Sequence, residues 1–222
     1  MISVPRHMLR SHGVRTTYYN HSLILDTNNI IHKKIHKVYA SRDFYPEVKA
    51  LLTLEKNFKN EPKLDHYPFP KVISFNDDPS LDMFTISMTF CGINAVENAC
   101  LYSNKQNIKP VNYYNTIECI INNLKNNFMR YQDWKADNVC INEHGQVSLI
   151  DFGRYKIQKP HRIERFYKKP NLNDLKAMLC TYVGCSESGF LIGKALNRDA
   201  DGVFKWKHRK FKTNPWGVLY YF

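Results

Sequence analysis

The chain has 222 residues, of which 43% are hydrophobic and 14% aromatic, so it can bury a sizeable core as one large domain or two small lobes. Its net charge of +12 indicates an anionic partner: a nucleotide, a nucleic acid, an acidic protein or a membrane surface. The sequence contains no run of about 18 apolar residues, and the opening "MISVPRHMLRSHGVR" lacks the apolar core of a secretory signal. Six cysteines without a CxxC pair favour reduced thiols over a disulfide framework or a zinc site. We therefore expect an intracellular, cytoplasmic protein that does not bind a membrane.

The first half of the sequence predicts a small sheet with one helix. "HSLIL" and "IIHKKIHKVY" flank the turn-prone "DTNN" and predict a β-hairpin over residues 21–39. "FYPEVKALLTLEKNF" has Val48, Leu51, Leu52 and Leu54 at helical spacing and predicts a helix over residues 44–58. Asp43 is a candidate cap for this helix, and Pro46 fits its first turn. "FPKVISF" and "LDMFTISMTF" predict two further strands that are joined by "NDDPS".

The second half begins with a predicted helix over residues 112–129. Its apolar residues form a helical stripe: Ile117, Ile120, Ile121, Leu124 and Phe128. After it, "DNVCI" and "QVSLI" predict two short strands joined by "NEHG", in which Gly145 suits a positive φ. The hairpin presents Asp133 and Asn138 before its first strand and Asp151 after its second, so we expect these groups to meet at one rim. Such a rim can hold two Mg²⁺ ions that bridge the phosphates of ATP, because hard cations prefer carboxylate and amide oxygens.

The stretch "YQDWKADN" followed by "DFG" resembles the catalytic loop and the metal-binding motif of protein kinases, H-R-D-x-K-x-x-N and D-F-G. The interval between the Asn and the second Asp, 151 − 138 = 13, also matches that family. The resemblance implies a two-lobed, protein-kinase-like α+β fold. A small β-rich N-lobe would span residues 1–91, and a truncated, mostly helical C-lobe would span residues 92–222.

The resemblance also implies the roles of the residues in this stretch. Asp133 would be the catalytic base that accepts the proton of the substrate hydroxyl, and Lys135 would neutralise the transferring γ-phosphate. Asn138 and Asp151 would hold Mg²⁺, so ATP and Mg²⁺ are the implied cofactors. A lysine two residues after the aspartate is the pattern of family members directed at Ser and Thr, which implies a protein Ser/Thr substrate.

The first half resembles the nucleotide-binding part of the same family. Lys37 in "KKIHKVY" best resembles the strand lysine that binds the α- and β-phosphates, with Lys33 and Lys34 as rivals. Glu47 resembles the helix glutamate that pairs with that lysine, and Glu55 is a second choice. Solvated surface charges remain the alternative interpretation at these positions.

The stretch "SMTFCG" resembles the connector between the two lobes of a kinase. The resemblance implies that Met88 borders the back of the nucleotide pocket. It also implies that Thr89, Phe90 and Cys91 offer backbone hydrogen bonds to adenine.

The sequence departs from the family pattern in the first half and at the catalytic loop. Gly13 is the only glycine before Gly92, so the phosphate-covering G-x-G-x-x-G loop is absent. Gln132 replaces the arginine that pairs with a phosphorylated activation loop, and Tyr131 replaces the histidine. We therefore expect no regulation by phosphorylation of that loop.

Further departures lie toward the C-terminus. The family's A-P-E motif is missing, and "NLNDLKAMLCTYV", which resembles the helix that anchors the catalytic loop through Asp174, follows Asp151 by only 174 − 151 = 23 residues. The activation segment must then be short. The tail "KALNRDADGVFKWKHRKFKTNPWGVLYYF" interleaves basic residues with Phe204, Trp206 and Phe211. It either binds nucleic acid or an acidic protein, or docks its aromatic residues while its lysines stay solvated.

The leading functional expectation is ATP- and Mg²⁺-dependent phosphoryl transfer to a protein Ser or Thr. A small-molecule kinase of the aminoglycoside and choline kinase type is one alternative, since those enzymes share the Asp, Asn and Asp arrangement. A pseudokinase or binding scaffold is the other, because the glycine loop is lost and the tail is basic.

Overall fold

The computed structural model describes residues 15–17, 21–101, 105–168, 171–188, 191–192, 211–213 and 218–221. Within these residues the fold is mixed α+β, with one five-stranded sheet, three smaller sheets and several helices. The five-stranded sheet and the first long helix are formed by residues before Phe90. The α+β class that the sequence predicts is confirmed at this level.

The five-stranded sheet is antiparallel and has the order β1-β2-β3-β5-β4. Its strands are β1 (Arg15–Thr17), β2 (His21–Leu25), β3 (Ile30–His36), β4 (Val72–Asp78) and β5 (Met83–Thr89). Asp26 stabilises the turn between β2 and β3, because its Oδ1 accepts hydrogen bonds from the N–H groups of Asn28 and Ile30. The predicted hairpin is confirmed, but β3 ends at His36, and a 3-10 turn over Lys37–Tyr39 replaces the expected end of the strand.

The helix α1 (Tyr45–Lys56) follows a π-helical turn, Ala40–Phe44. Pro46 lies in its first turn, where the missing N–H has no intrahelical partner to lose. Its buried apolar face consists of Val48, Ala50, Leu51 and Leu54. Leu52 is 41% exposed, so it does not belong to this face as the spacing had suggested.

The expected cap of α1 is wrong. Phe44 is the N-cap residue and no side chain caps the helix. The carboxylate of Asp43 instead accepts two hydrogen bonds from the guanidinium of Arg42, at 3.0 and 2.9 Å. The preceding π-helical turn continues directly into α1, so no extended residue is present to act as a side-chain cap.

Four further helices follow α1 in the described part of the chain. They are α2 (Ala95–Cys100), α3 (Tyr113–Asn126), α4 (Pro160–Phe166) and α5 (Asn171–Ser188). The predicted apolar stripe of α3 is confirmed for four of its five members, which are buried. Phe128 is 43% exposed with a φ of 54°, because α3 ends at Asn126 before the stripe reaches it. Asn123 fixes α3 to the segment after α1, since its side chain exchanges two hydrogen bonds of 2.8 Å with the backbone of Lys59.

The second half also contains short strands: β6 (Ile93–Asn94), β7 (Met129–Tyr131), β8 (Val139–Ile141), β9 (Val147–Leu149), β10 (Tyr155–Ile157), β11 (Leu191–Ile192), β12 (Phe211–Thr213) and β13 (Val218–Tyr221). The strands β8 and β9 form the predicted hairpin, and β6 pairs with β8. Gly145 in its turn has a φ of 77°, as predicted, and a Cβ there would lie 2.3 Å from the carbonyl oxygen of Lys109. The strands β7 and β10 form a two-stranded ribbon.

The aromatic part of the core lies directly beneath this hairpin and ribbon. The ring of Tyr131 contacts those of Trp134 and Phe152 at centroid distances of 4.7 and 5.2 Å, and Phe69 contacts Phe152 at 5.8 Å. All four side chains are almost completely buried. Among the described residues, no helix combines the length and the apolar character that crossing a membrane requires.

Candidate active site

A buried lysine joins two carboxylates that come from distant parts of the chain. Lys33 Nζ on β3 lies 2.6 Å from Glu47 Oε2 in the first turn of α1 and 3.3 Å from Asp151 Oδ1. Lys33 and Glu47 are 6% and 2% exposed. A buried charge of this kind is stable only when it is paired, and here it is paired twice.

The structure corrects one predicted pair. Lys37 was expected to pair with Glu47, but it lies beyond the end of β3, and its Nζ is 2.7 Å from Asp77 Oδ1 on β4. Lys33, a rival in the sequence, occupies the expected place. The alternation of side chains along β3 buries Lys33 beside Ile35 on the inner face, whereas the 3-10 turn carries Lys37 away from it.

The charges of this cluster are set by opposing effects. Burial acts to lower the pKa of Lys33, but the carboxylates of Asp151 and Glu47 outweigh it and raise the pKa above its usual value. Burial acts to raise the pKa of Asp151, but Lys33 and Lys135 outweigh it and lower the pKa. Burial raises the pKa of Glu47, and Lys33 opposes this rise. Lys33 and Asp151 are therefore both charged at neutral pH.

The loop between β7 and β8 holds a second polar cluster. Asp133 is 3% exposed, and its Oδ2 lies 2.7 Å from Lys135 Nζ. Asn138 ends a 3-10 turn, Ala136–Asn138, and its Nδ2 donates hydrogen bonds of 2.9 Å to the Oδ2 and to the backbone oxygen of Asp133. The carboxylate of Asp133 is thus held in a fixed position by two donors from its own loop.

Tyr131 connects this loop to the residue before Asp151. Its hydroxyl donates to the carbonyl oxygen of Ile150 at 2.7 Å and accepts a hydrogen bond of 2.9 Å from Asn138 Nδ2. The backbone adds a parallel link, because the N–H of Ile150 donates to the carbonyl oxygen of Asn138 at 2.9 Å. The sequence pattern had marked Tyr131 only as a departure from a histidine. The structure shows that Tyr131 is completely buried next to Phe152, which the sequence pattern did not indicate.

Asp151 lies in an unusual backbone conformation. Its φ of 63° falls in the left-handed region, which costs an L-residue about 1–2 kcal/mol, although Asp and Asn tolerate it best. Phe152, the next residue, is completely buried and fixes the chain on the core. The Asp151 side chain is 38% exposed, so one part of it contacts Lys33 while another part faces solvent. Strained non-glycine residues are typical of functional sites.

The expected connector, Met88 to Cys91, continues from the end of β5. Met88 is buried on the same face of the sheet as Lys33, since it pairs with Ile31 two residues before that lysine. The N–H groups of Thr89 and Phe90 already donate to the carbonyl oxygens of Lys71 and Asn29. Among the described residues, none accepts a hydrogen bond from the Cys91 N–H, so of these three donors it is the one left for a ligand.

The expected metal ligands are close in the fold. All the hydrogen bonds of the Asn138 side chain to described residues use Nδ2, which leaves Oδ1 as a ligand atom. Asp151 contributes one partly exposed carboxylate, and its pKa also responds to the charge of Asp133. Within the described residues, no three His, Cys, Asp or Glu side chains form a metal site by themselves. The set fits Mg²⁺, which typically takes one or two carboxylates and completes its shell with phosphate oxygens and water.

The structure brings most of the predicted site residues together. Lys135 and Asn138 both contact Asp133, and the hydrogen bond from Ile150 to Asn138 places Asp151 next to them. Lys33 joins Glu47 to Asp151. The side chain of Asp174 lies outside the described residues, and of the basic tail, residues 194–222, only 211–213 and 218–221 are described. Comparison of the chain with models of known protein families finds no match, and comparison with curated proteins finds none either. Any function must therefore be argued from the geometry of this site.

Proposed function

We propose that the chain is a protein-kinase-like phosphotransferase that transfers the γ-phosphoryl group of Mg·ATP to a Ser or Thr of a protein. The observation that carries the proposal is the contact of Lys33 with both Glu47 and Asp151, next to the cluster of Asp133, Lys135 and Asn138. Phosphoryl transfer requires mainly cations and metal ligands in fixed positions, and these two clusters supply them. The proposal includes a two-lobed fold, with residues 1–91 and 92–222 as its lobes.

Lys33 binds the α- and β-phosphates in this proposal, and Glu47 holds its ammonium in place. The buried Met88 borders the adenine pocket, and the Cys91 N–H donates to the base. Met88 on β5 and Lys33 on β3 lie on the same face of the sheet, which supports a nucleotide lying along that face. The absent glycine loop makes Lys33 the main protein group that contacts the phosphates from the sheet.

Asp133 accepts the proton of the acceptor hydroxyl. The hydroxyl oxygen forms a bond to the γ-phosphorus, the bond between that phosphorus and the oxygen bridging to the β-phosphate breaks, and ADP leaves. Lys135 neutralises charge on the transferring group from its position beside Asp133. Asn138 and Asp151 would hold Mg²⁺, whose positive charge would offset the negative charge of the phosphates.

Two substitutions test the proposal because the two carboxylates should fail differently. We expect Asp133→Asn to lower kcat by about 100-fold or more with little change in Mg·ATP affinity, because a base and positioning group is lost. We expect Asp151→Asn to weaken Mg·ATP binding and transfer together, because it removes the charged metal ligand. Calorimetry measures the affinity, and transfer of labelled phosphate to a degenerate Ser/Thr peptide library measures the activity.

Asp77→Asn is the matched control. It removes a carboxylate that is half-exposed and pairs with Lys37, so neither activity nor affinity should change appreciably. Wild-type protein that binds no Mg·ATP and phosphorylates no member of the library would refute the proposal.

A further inference from the structure

A strongly basic surface lies directly after Asp151, over residues 154–168. This basic segment contains six cationic side chains: Arg154, Lys156, Lys159, Arg162, Arg165 and Lys168. All six are exposed, and the only acidic residue in the segment is Glu164. None of the six forms an ion pair with a residue that the structure describes. The excess positive charge is therefore not neutralised within the described part of the fold.

The basic segment begins beside the loop that holds Asp133. The N–H of Gln132, the residue before Asp133, donates to the carbonyl oxygen of Arg154 at 3.0 Å. This hydrogen bond places Arg154 beside the loop that holds Asp133. In the ribbon, Lys156 is opposite Arg130. A peptide that places a hydroxyl at Asp133 would bring its neighbouring residues, at about 3.3 Å each, within reach of these side chains.

The rest of the segment is fixed to the core through Ile163 and Tyr167. Ile163 of α4 is 1% exposed, and the hydroxyl of Tyr167 donates to the carbonyl oxygen of Met129 at 2.9 Å. The hydrogen bond connects the residue after α4 to β7, and the burial of Ile163 holds α4 against the core. Arg162 and Arg165, on either side of the buried Ile163, remain exposed.

The composition of the basic segment favours a separate molecule as its partner. Residues 154–168 contain no Ser or Thr that a phosphate could modify. The aromatic residues of the segment do not offer stacking platforms for nucleobases. Tyr167 is 3% exposed, Tyr155 is half-buried, and Phe166 lies under the guanidinium of Arg130 at 4.7 Å. Binding of single-stranded nucleic acid ordinarily uses exposed rings of this kind.

We propose that the basic segment selects the substrate, and that the site phosphorylates a Ser or Thr flanked by Asp and Glu residues. The inference rests on the proposed function and deepens it by naming the class of substrate. Acidic side chains near the acceptor residue pair with the cations of β10 and α4, which steers the peptide and fixes its register at Asp133.

Two matched peptides test the preference. One carries a Ser flanked by Asp and Glu, and the other carries Asn and Gln at the same positions. We expect the acidic peptide to have a kcat/KM at least about tenfold higher, because several exposed ion pairs each contribute up to about fivefold. The preference should shrink with added salt, since exposed charges are screened over about 8–10 Å.

Charge reversal locates the effect. Two double variants reverse charges in the basic segment: Arg154→Glu/Lys156→Glu and Arg162→Glu/Arg165→Glu. Each should lower kcat/KM for the acidic peptide by about tenfold or more, mainly through KM, and leave kcat/KM for the neutral peptide unaffected. Lys56→Glu/Lys109→Glu is the control, because it removes the same net charge from exposed positions outside the basic segment. This control should retain the full preference.

A binding measurement separates failure of this inference from failure of the proposed function. The fluorescence anisotropy of a labelled acidic peptide with Ala in place of Ser reports binding without catalysis. Binding that both reversals weaken supports the surface even if no peptide is phosphorylated, in which case the proposed function fails. Equal phosphorylation of the two peptides, or a preference that survives both reversals, would overturn the inference. So would duplex DNA or single-stranded RNA that binds the basic segment more tightly than the acidic peptide does.

Discussion

Lys33 is the residue on which the buried charge of the site depends. It is the ammonium group between Glu47 and Asp151, and both of these carboxylates are within 3.3 Å of its Nζ. Removing one partner of a buried ion pair leaves an uncompensated charge, whereas removing an exposed pair has little effect. This difference makes Lys33 and Lys37 a natural pair for comparison.

We expect Lys33→Met to lower the free energy of unfolding by about 3 kcal/mol, because Glu47 and Asp151 then lose their shared cation. Lys37→Met should cost less than about 1 kcal/mol, since Asp77 is half-exposed. Urea denaturation of both variants measures the difference. If the two variants are equally stable, Lys33 is not the structural link between β3, α1 and Asp151. Under the proposed function, Lys33→Met should also weaken Mg·ATP binding.

Tyr131 connects two parts of the site as Lys33 does, but through an uncharged hydroxyl group. We expect Tyr131→Phe to lower the free energy of unfolding by about 1–2 kcal/mol, because the Ile150 carbonyl oxygen loses its donor and Asn138 loses one acceptor. The shape of the buried ring is unchanged. Tyr45→Phe is the control, since Tyr45 is 55% exposed and packs through its ring. Equal denaturation midpoints for the two variants would contradict the linking role of the Tyr131 hydroxyl.

At the scale of elements, α1 determines where Glu47 lies. The helix is held by a narrow apolar face, and Leu54 within it is completely buried while Leu52 is 41% exposed. We expect Leu54→Ala to cost about 2–5 kcal/mol, because it leaves a cavity in the core. Leu52→Ala should change stability by less than about 1 kcal/mol. Chemical denaturation compares them, and similar losses would mean that α1 does not pack in this orientation.

The long elements were predictable because their periodicity is a local property of the sequence. The helix predicted over residues 44–58 is α1, and that over residues 112–129 contains α3. The ends were less accurate, as with Phe128, because helix termination depends on contacts outside the helix. The short strands β6, β7 and β10 were not predicted, because two or three residues contain few alternations. The strands β8 and β9 are as short, but the turn that contains Gly145 marks them in the sequence.

The candidate site was predictable to a similar degree. The spacing of Asp133, Asn138 and Asp151 around a short hairpin restricts where they lie, so their convergence followed from sequence. The choice of lysine did not follow from sequence, because Lys33 and Lys37 are an even number of residues apart and would lie on the same face of one strand. The end of β3 at His36 decides between them, and that end depends on the turn leading into α1.

At the scale of the whole molecule, the proposed nucleotide site draws its residues from distant parts of the chain. Lys33 belongs to the five-stranded sheet, Glu47 to α1, and Asn138 to the loop before β8. A ligand that binds only the folded state stabilises it by an amount set by its concentration relative to Kd. Thermal unfolding of the intact chain therefore reports whether such a ligand is bound.

Metal and nucleotide should stabilise the protein only in combination. Within the described residues the protein offers Mg²⁺ one carboxylate, Asp151, and one amide oxygen, Asn138, so we expect Mg²⁺ alone to produce no shift in Tm. ATP alone should produce a small shift, because its phosphates contact Lys33 but also approach Asp151 without a metal between them. Together they should stabilise by about 2.7 kcal/mol at 100 times Kd, measured as a rise in Tm by differential scanning fluorimetry. Asp151→Asn should abolish this synergy while Asp77→Asn retains it. A shift of equal size with Mg²⁺ alone would indicate an independent metal site and contradict a metal that binds with the phosphates.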